Sequence, residues 1–380
     1  MLALSPTYKY LLWLSDAVSY HFFLPLAPIC GGMKAVTFSE HGDRDVIEYG
    51  NYPQIEPGPN EVRVQVWAGA LNHLDIWTRR GLPGLDLEMP HIPGSDAAGI
   101  VEEVGEDVTW FGPGDRVAVS AGIHCGECEF CRAGEQTMCV NFHLLGEHTR
   151  GVHAEYAVVP EQALVSVPDG VDWDVAAAAP LVFQTAWRML VTRAEVRPGE
   201  SVLVLGASGG VGHAAVQIAN HLGAEVYATA SSNAKLDYAR RIGADHVINY
   251  EERDFAEAIR EHTDKRGVDV VVDHIGATTW QDSLASLARG GRLVTCGATT
   301  GPHPQTDINR IFWNQLEVIG STMGTPGEVD DVLKLVWDGT FEPRIRATLP
   351  MSKAADGHRM LEEREGFGKV VLIPDSVNAN

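Results

Sequence analysis

Residues 201–219 read SVLVLGASGGVGHAAVQIA, and this stretch decides the fold of the second half of the chain. A run of apolar residues leads into Gly206, Gly209 and Gly212, and a segment with helical periodicity follows. Glycines at this spacing permit a tight turn after a strand, a close approach of the backbone to a pyrophosphate, and close packing of helix on strand. The stretch therefore predicts a strand, a phosphate-binding turn and a helix. The alternative is a tight turn that binds no ligand.

Further strand and helix signals follow this turn. The predicted strands read SVLVLG, EVYATA, HVINY, VDVVVDHIG, RLVTCG and LEVIGSTMG, and helices are predicted at 211–222 and 234–242. Strands that alternate with helices indicate a parallel sheet with right-handed crossovers. Residues 179–324 are therefore predicted to form a doubly wound α/β domain of the Rossmann type. The predicted cofactor-binding residues of its turn are Gly206, Ser208, Gly209, Gly210, Val211 and Gly212.

The second predicted strand indicates which dinucleotide binds. A site for NAD usually has Asp or Glu at the end of this strand, where the carboxylate holds the adenosine ribose. Here EVYATASSNAK supplies hydroxyl groups and then Lys235. A carboxylate would repel a 2′-phosphate, whereas Ser231 and Lys235 accept one. The sequence therefore favours NADP(H) over NAD(H), the alternative being that both residues simply begin a solvated helix.

The chain between residue 33 and residue 178 has a different pattern. Short alternating runs such as KAVTF, EVRVQVWAGAL and AEYAVV, separated by Gly, Pro and acidic turns, predict a β-rich domain of roughly 120 residues. After two helical segments at 327–337 and 353–363, the final strand GKVVLI is expected to rejoin this domain. The predicted organisation is an extension outside the fold (1–32), the β-rich domain (33–178), the nucleotide domain (179–324), a return segment (325–373) and a disordered tail (374–380).

Four cysteines interrupt the β-rich domain. Residues 124–139 read HCGECEFCRAGEQTMC, in which the cysteines are spaced C-x2-C-x2-C-x7-C. Two-residue gaps let the sulfurs converge on one tetrahedral centre about 2.3 Å from each, as in a structural zinc site. The alternatives are free surface cysteines or two disulfides. The lobe near 122–145 is therefore predicted to bind one structural Zn²⁺ through Cys125, Cys128, Cys131 and Cys139. Since four protein ligands leave no open coordination position, this site is predicted to take no part in catalysis.

Composition excludes several classes of partner. The 380 residues contain 51 acidic and 29 basic side chains, a net charge of −22, which argues against nucleic acid and anionic membranes. The sequence contains no run of eighteen apolar residues, so no membrane span is predicted.

The charged residues also indicate a habitat. Only seven residues are lysine, and the excess of acidic side chains together with few lysines is typical of a halophilic protein in a salty cytoplasm. Residues 1–32 lack the form of a secretory signal because Asp16 and His21 interrupt the apolar residues, so Met33 is expected to be the functional start.

These features together resemble the medium-chain dehydrogenase/reductase superfamily. The resemblance covers essentially residues 33–373 and is specific in the cysteine lobe, GDRVAV, HAEYAVVP, GASGGVG and GVDVVVDHIG. It implies a GroES-like catalytic domain with a structural-zinc lobe, a Rossmann domain, and catalysis in the cleft between them. It also implies subunit pairing through the edge of the nucleotide-binding sheet, at LEVIGSTMG, in a homodimer or homotetramer.

The resemblance also identifies what this chain lacks. Zinc alcohol dehydrogenases of the family hold a catalytic zinc with a C-x-[ST]-D motif, a G-H-E motif and a later Cys. Here the first motif reads Asn72-His73-Leu74-Asp75, the second reads Gly94-Ser95-Asp96, and Phe183 stands nearest to the later Cys. Of the usual ligand positions, only that of Asp96 holds a side chain that could bind a metal, and Leu74 replaces the hydroxyl that relays the alcohol proton. The chain is most similar to the quinone oxidoreductase and enoyl reductase branches.

The expected reaction is hydride transfer to a small-molecule acceptor without a catalytic metal. Reduction of a plain carbonyl would lose the several kcal/mol that a metal contributes, whereas an α,β-unsaturated carbonyl or a quinone needs only hydrogen-bond donors. Asn72 and Ser95 are the candidate donors. Asp96 and Asp75 are candidates to orient them, and the alternative is that both carboxylates are structural. His148 is a candidate proton donor or a surface histidine.

The remaining site predictions concern the cofactor. His73 is expected to contact the cofactor phosphates, and the resemblance places Thr185, Tyr250 and Lys369 at the reductase branch's NADPH contacts. Cys296 is expected to pack beside the nicotinamide rather than to act as a nucleophile. Two other functions stay open: a zinc-dependent alcohol or aldehyde dehydrogenase with atypical ligands such as Asp96, His73 or His148, and a non-catalytic NADPH-binding protein.

Overall fold

The computed structural model describes residues 32–378. Its strands are β1 (Gly32–Thr37), β2 (Glu48–Pro53), β3 (Glu61–Ala70), β4 (Asp96–Val104), β5 (Arg116–Val119), β6 (Gly122–Ile123), β7 (His143–Leu144), β8 (Tyr156–Pro160), β9 (Leu164–Ser166), β10 (Ser201–Val204), β11 (Glu225–Ala230), β12 (His246–Asn249), β13 (Val268–Asp273), β14 (Leu287–Thr295), β15 (Glu317–Gly320), β16 (Ile345–Pro350) and β17 (Lys369–Ile373). Its helices are α1 (His73–Arg80), α2 (Glu129–Arg132), α3 (Trp173–Ala178), α4 (Pro180–Trp187), α5 (Gly210–His221), α6 (Asn233–Arg241), α7 (Phe255–His262), α8 (Trp280–Ser286), α9 (Ile308–Asn314), α10 (Pro326–Trp337), α11 (Ala354–Glu362) and α12 (Asp375–Asn378). None of the helices in this part of the chain is long and apolar enough to cross a membrane.

A parallel sheet of six strands forms the nucleotide domain. Its order is β12-β11-β10-β13-β14-β15, so β10 lies in the centre and the chain winds outward on both sides. This is the doubly wound order in which dinucleotides bind at the carboxyl ends of the central strands. Strand β10 is buried along its whole length, as parallel strands covered on both faces must be. The sequence prediction of the Rossmann sheet is confirmed, and the predicted helices at 211–222 and 234–242 begin and end one residue earlier than expected.

Helix α10 belongs to the nucleotide domain, which corrects the predicted domain boundary. Its apolar face packs into the same core as α4 and α5, through Val329, Val332, Leu333 and Val336. The predicted return segment from residue 325 therefore begins too early. The chain rejoins the first domain at β16, after α10 has ended.

The catalytic domain is built on a seven-stranded sheet. Its order is β16-β17-β3-β4-β5-β9, and β8 pairs with the first half of β3. The final strand β17 lies antiparallel to β3, with Val371 opposite Ala70, so the C-terminal segment completes the first domain as predicted. This closure places residue 369, at the start of β17, beside the residues that follow β3.

The predictions for the two ends of the chain have different outcomes. The extension at 1–32 lies outside the described residues, apart from Gly32, which begins β1. The predicted disorder of the tail is wrong for Asp375–Asn378, which form a helical turn. The Asp375 carboxylate accepts hydrogen bonds from the Ser352 amide at 3.0 Å and the Ser352 hydroxyl at 2.6 Å, and these contacts hold the turn in place.

Candidate active site

A cavity of about 710 Å³ lies between the two domains. The nucleotide domain contributes the glycine turn and the carboxyl ends of its strands, while the catalytic domain contributes residues that follow β3 and the start of β17. The predicted site residues that line the cavity are Asn72, His73, Thr185, Gly206, Ser208, Gly209, Gly210, Val211, Lys235, Tyr250 and Lys369. The fold thus brings most of the predicted cofactor positions and the predicted catalytic residue Asn72 to one space, while Asp96 and Ser231 do not line it.

The glycine turn has the local geometry of an anion site. Gly206 has a φ of +58°, a left-handed conformation that favours glycine. Its amide donates to the buried Thr229 hydroxyl at 3.1 Å, which ties the turn to the next strand. Gly212 does not line the cavity. A Cβ there would lie 2.2 Å from the Gly206 carbonyl oxygen, so Gly212 allows the helix to pack closely on the turn, and the start of α5 faces the cavity.

Several cationic side chains lie close together beyond the end of β11. The Lys235 ammonium donates to the Ser231 hydroxyl at 3.0 Å. Burial and the nearby guanidinium groups of Arg364 and Arg346 lower the pKa of Lys235. The buried Nε and Nη2 atoms of Arg346 have no hydrogen-bond partner within residues 32–378. Two unpaired guanidinium nitrogens near Lys235, in a cavity that Tyr250 also lines, fit an anionic group such as a ribose 2′-phosphate.

Sequence reasoning missed Arg346 and Arg364. Both come from the C-terminal segment that rejoins the catalytic domain, far along the chain from β11, the strand whose pattern indicates the cofactor. No local spacing links them to Lys235. The close contact of this segment with the glycine turn, seen in the hydrogen bond from the Gly368 amide to the Ser208 carbonyl at 3.2 Å, shows how the fold brings them together.

Asn72, Asp96 and Lys369 form a buried polar cluster in the catalytic-domain wall. The Lys369 ammonium donates to Asn72 Oδ1 at 2.6 Å and to Asp96 Oδ2 at 3.0 Å. The Asn72 amide nitrogen donates to the same Asp96 oxygen at 2.9 Å. The lysine and aspartate side chains are only 3% and 0% exposed. Since a buried charge needs a partner, this ion pair fixes both groups in place, with Lys369 and Asn72 lining the cavity and Asp96 behind them, outside its lining.

The second oxygen of Asp96 is also occupied, and its partner corrects one sequence prediction. Asp96 Oδ1 accepts the Leu181 amide at 3.0 Å, so Leu181 stands beside the predicted metal-ligand positions. Phe183, which was predicted nearest to them, is fully buried in the core against His213 and Phe341. Ser95 does not line the cavity, because its hydroxyl donates to the Leu145 carbonyl at 2.8 Å. The structure therefore places Ser95 as a support for the backbone and not as a donor to substrate.

The four cysteines of the lobe converge as their spacing predicts. Their sulfur atoms all lie within 4.8 Å of one another, with the Cys139 and Cys125 sulfurs 3.5 Å apart. The amides of Cys125 and Asn141 each donate to the Cys139 sulfur at 3.3 Å. Backbone amides lower the pKa of the Cys128 thiol to about 6, whereas burial raises the pKa of the Cys131 thiol to about 12. The donor set fits Zn²⁺.

This cluster bears on the rival prediction of a catalytic zinc with atypical ligands. Among residues 32–378, the four cysteines are the one group of three or more His, Cys, Asp and Glu residues whose ligand atoms come close enough to share an ion. Asp96 is paired with Lys369, while His148 is exposed, accepts the Leu144 amide at 3.2 Å and does not line the cavity. The described residues therefore offer no second metal site of this kind.

The remaining predicted residues have these places. Thr185 donates to the Leu181 carbonyl at 2.7 Å and faces the cavity. Burial raises the pKa of the Cys296 thiol to about 12, so this cavity residue stays protonated, in accord with a packing role. The Asp75 carboxylate accepts a hydrogen bond from the backbone N–H of Asn72 at 2.7 Å, and burial raises the pKa of Asp75 to about 7. Asp75 thus fixes the start of α1 and the backbone of Asn72.

Comparison with known proteins agrees with this architecture. The family described as "Alcohol dehydrogenase GroES-like domain" matches residues 58–169, and the family described as "Zinc-binding dehydrogenase" matches residues 210–338. A quinone oxidoreductase from Pseudomonas aeruginosa is 35% identical over 90% of this chain and 99% of its own length. An acryloyl-coenzyme A reductase from Sulfurisphaera tokodaii is 32% identical over 90% and 100%. The solved structure of an NAD-dependent alcohol dehydrogenase is 44% identical, covers 90% of this chain and 99% of its own, and superposes with a TM-score of 0.87.

A Rossmann sheet, a GroES-like domain and a cavity between them that the glycine turn lines define an oxidoreductase that uses a nicotinamide cofactor. The chain belongs to the medium-chain dehydrogenase/reductase superfamily, among its zinc-binding alcohol dehydrogenase-like members.

Proposed function

We propose that the protein uses NADPH to reduce the activated C=C bond of an α,β-unsaturated carbonyl compound, or a quinone, without a catalytic metal. The observation that carries this proposal is the buried cluster of Asn72, Asp96 and Lys369, two of whose members, Asn72 and Asp96, stand at positions where zinc alcohol dehydrogenases of the family are expected to hold their metal. An ammonium group stands there, paired with the one carboxylate that could bind a cation. The names of the quinone and acryloyl-coenzyme A reductases support the same substrate class.

We assign the donor role in this cluster to Lys369. Both hydrogens of the Asn72 amide are directed to protein acceptors, Asp96 at 2.9 Å and the Ala70 carbonyl at 3.4 Å. An ammonium group has three hydrogens, and Lys369 uses two of them within the cluster. The third is available to the cavity that Lys369 lines. Lys369 therefore donates to the substrate oxygen as negative charge develops on it, while Asn72 and Asp96 hold the ammonium in position.

The chain's other residues bind the coenzyme. NADPH, when bound, supplies the hydride. The glycine turn and the start of α5 hold the pyrophosphate. Ser231, Lys235, Tyr250, Arg346 and Arg364 hold the 2′-phosphate, and the unpaired nitrogens of Arg346 support this assignment. Cys125, Cys128, Cys131 and Cys139 hold one structural Zn²⁺ that keeps the lobe folded.

Replacing Arg346 with methionine is expected to raise the KM for NADPH by about tenfold and to leave the KM for NADH within about twofold. A charge-assisted hydrogen bond contributes about 1.5–3 kcal/mol, and 1.4 kcal/mol corresponds to tenfold. Steady-state kinetics with both coenzymes measure the ratio. Arg240→Met, which removes a guanidinium from the exposed side of α6, is the matched control. Equal changes for the two coenzymes, or a wild-type preference for NADH, would remove the 2′-phosphate assignment.

The assay that tests the proposed function follows NADPH oxidation with enones, enoyl thioesters and quinones as acceptors. We expect turnover with members of these classes and none with simple alcohols and NADP⁺ or NAD⁺. Oxidation of alcohols at comparable kcat/KM would instead favour the alcohol dehydrogenase reading. Tight NADPH binding with no turnover of any acceptor would favour a non-catalytic binding protein.

We also propose that the protein pairs through the outer edge of the nucleotide-binding sheet. Strand β15 is the edge strand, and Val318 on it is exposed. The preceding helix α9 exposes Ile308, Phe312 and Trp313, of which Trp313 is 70% exposed. An unpaired edge strand beside exposed apolar side chains is typical of a surface that another subunit covers.

Replacing Trp313 with glutamate is expected to shift the protein from homodimer or homotetramer toward smaller species at micromolar concentration. A charge in the centre of an apolar interface must lose its hydration when the subunits associate. Analytical ultracentrifugation measures the change. The control is Trp110→Glu, the same substitution at an exposed tryptophan of the catalytic domain. An unchanged mass for Trp313→Glu, or a wild-type monomer, would contradict the assignment.

A further inference from the structure

The turn at residues 144–149 is fixed rigidly to the floor of the catalytic domain. The Ser95 hydroxyl donates to the Leu145 carbonyl at 2.8 Å, and the His91 ring is hydrogen-bonded to the Gly146 carbonyl at 3.1 Å. The Gly146 amide donates to the Thr149 carbonyl at 2.9 Å and closes the turn. Gly146 has a φ of +80°, and a Cβ there would lie 2.3 Å from the Gly94 carbonyl oxygen. The next residue, Glu147, is therefore presented from a defined position.

Glu147 lies in the wall of the cavity, together with Leu74, Trp77 and Leu144. Its side chain is half-buried, and its carboxyl group makes no hydrogen bond or ion pair with any of residues 32–378. Burial raises the pKa of this carboxyl, and His148 in the same turn opposes the rise. A carboxyl in an apolar wall keeps its proton to higher pH than one in water.

The other acidic groups of the cavity have different surroundings. Asp254 caps α7 by accepting the Glu257 amide at 2.8 Å, and Asp282 lies on α8, so both belong to the nucleotide domain. Cys296 is too weak an acid, since burial raises its pKa to about 12. His73 also lines the cavity from the catalytic domain, but burial lowers the pKa of its imidazole to about 4, so little of it carries a proton to donate near neutral pH. Among the described residues, Glu147 is thus the carboxylic acid that lines the cavity from the same domain as Asn72.

We propose that Glu147 is the proton donor that completes the reduction. This inference rests on the proposed function. Hydride addition at the β-carbon moves the C=C electrons onto the carbonyl oxygen, where the Lys369 ammonium stabilises the enolate. The enolate α-carbon then takes the proton of the Glu147 carboxyl, the carbonyl re-forms, and Glu147 regains a proton from solvent through the open cavity. The substrate gains one hydride and one proton, and no other reactant is required.

The test compares Glu147→Gln and Glu147→Asp with the wild type on one enone that the wild type reduces. We expect Glu147→Gln to lower kcat by about 10²-fold with KM within about threefold, since a positioned acid contributes roughly 10²–10⁴-fold. Glu147→Asp, which keeps the acid, should recover part of the rate. Glu106→Gln removes an exposed carboxylate of the same domain and serves as the control.

Two readouts separate a proton donor from a structural residue. Wild-type kcat should fall as pH rises through the raised pKa of Glu147, because the acid form is required, and Glu147→Gln should lose this decline. In D₂O the wild type should deuterate one face of the α-carbon, and Glu147→Gln both faces. A variant with wild-type kcat, pH profile and stereochemistry would overturn the inference alone. A wild type that reduces no enone or quinone would overturn the proposed function and this inference with it.

Discussion

Replacing Lys369 with methionine is expected to lower kcat for enone reduction by about 10²–10³-fold and to destabilise the fold by about 3–5 kcal/mol. The loss of activity follows because removal of one preorganised oxyanion donor costs about 10²–10³ in kcat. The loss of stability follows because Asp96, which is 0% exposed, would lose its charged partner. Enone reduction rates and chemical unfolding measure the two effects on the same preparation.

The double variant Asp96→Asn with Lys369→Met separates these two effects. With both charges removed, no uncompensated ion stays buried, so most of the lost stability should return. Activity should not return, because the donor to the substrate oxygen is still absent. If Lys369→Met retained wild-type kcat, the assigned role of the ammonium would be wrong. If the double variant were as unstable as the single, the ion pair would not be the cause of the destabilisation.

Replacing Cys139 with serine is expected to abolish zinc binding and to destabilise the protein by at least about 3 kcal/mol. Binding of a structural zinc is coupled directly to folding, and serine is a much weaker ligand than a thiolate. Metal analysis should give one zinc per wild-type chain and none in the variant, and thermal unfolding should show a lower Tm.

Cys296→Ser is the control for zinc content, because Cys296 lies in the nucleotide domain, away from the four clustered sulfurs. Its zinc content should equal that of the wild type. Two zinc ions per wild-type chain would contradict the assignment of a single structural site. Full zinc content in Cys139→Ser would show that the metal does not bind at the cluster.

Features encoded by neighbouring residues could be predicted from the sequence. The glycines after β10 determine the turn through local conformational freedom, and the cysteine spacing alone brings four sulfurs to one centre. Predictions that depend on which face of a helix a residue occupies were less accurate. Leu181 and Thr185 are four residues apart and share the cavity face of α4, whereas Phe183 between them points into the core. A motif position read along the chain does not show which side of the helix a residue occupies.

Long-range pairing was the other source of error. The resemblance to the reductase branch predicted Lys369 to be a coenzyme contact, but only the pairing of β17 with β3 shows that its ammonium meets Asn72 and Asp96. Ser95 was predicted to face substrate, yet its hydroxyl reaches a carbonyl fifty residues further along the chain. Helix α10 was assigned to the wrong domain because its amphipathic pattern fits either core. These contacts depend on tertiary packing, which a single sequence does not encode locally.

The most direct test of the central claim is to identify the product formed from an α,β-unsaturated aldehyde and NADPH. Such a substrate carries a C=C bond and a C=O bond, so the enzyme itself selects the group that is reduced. Mass spectrometry and NMR of the product distinguish the outcomes. The cluster of Asn72, Asp96 and Lys369 predicts the saturated aldehyde, formed by a protein with one zinc per chain. The allylic alcohol would contradict the account, because carbonyl reduction would then proceed at a site built for conjugated acceptors.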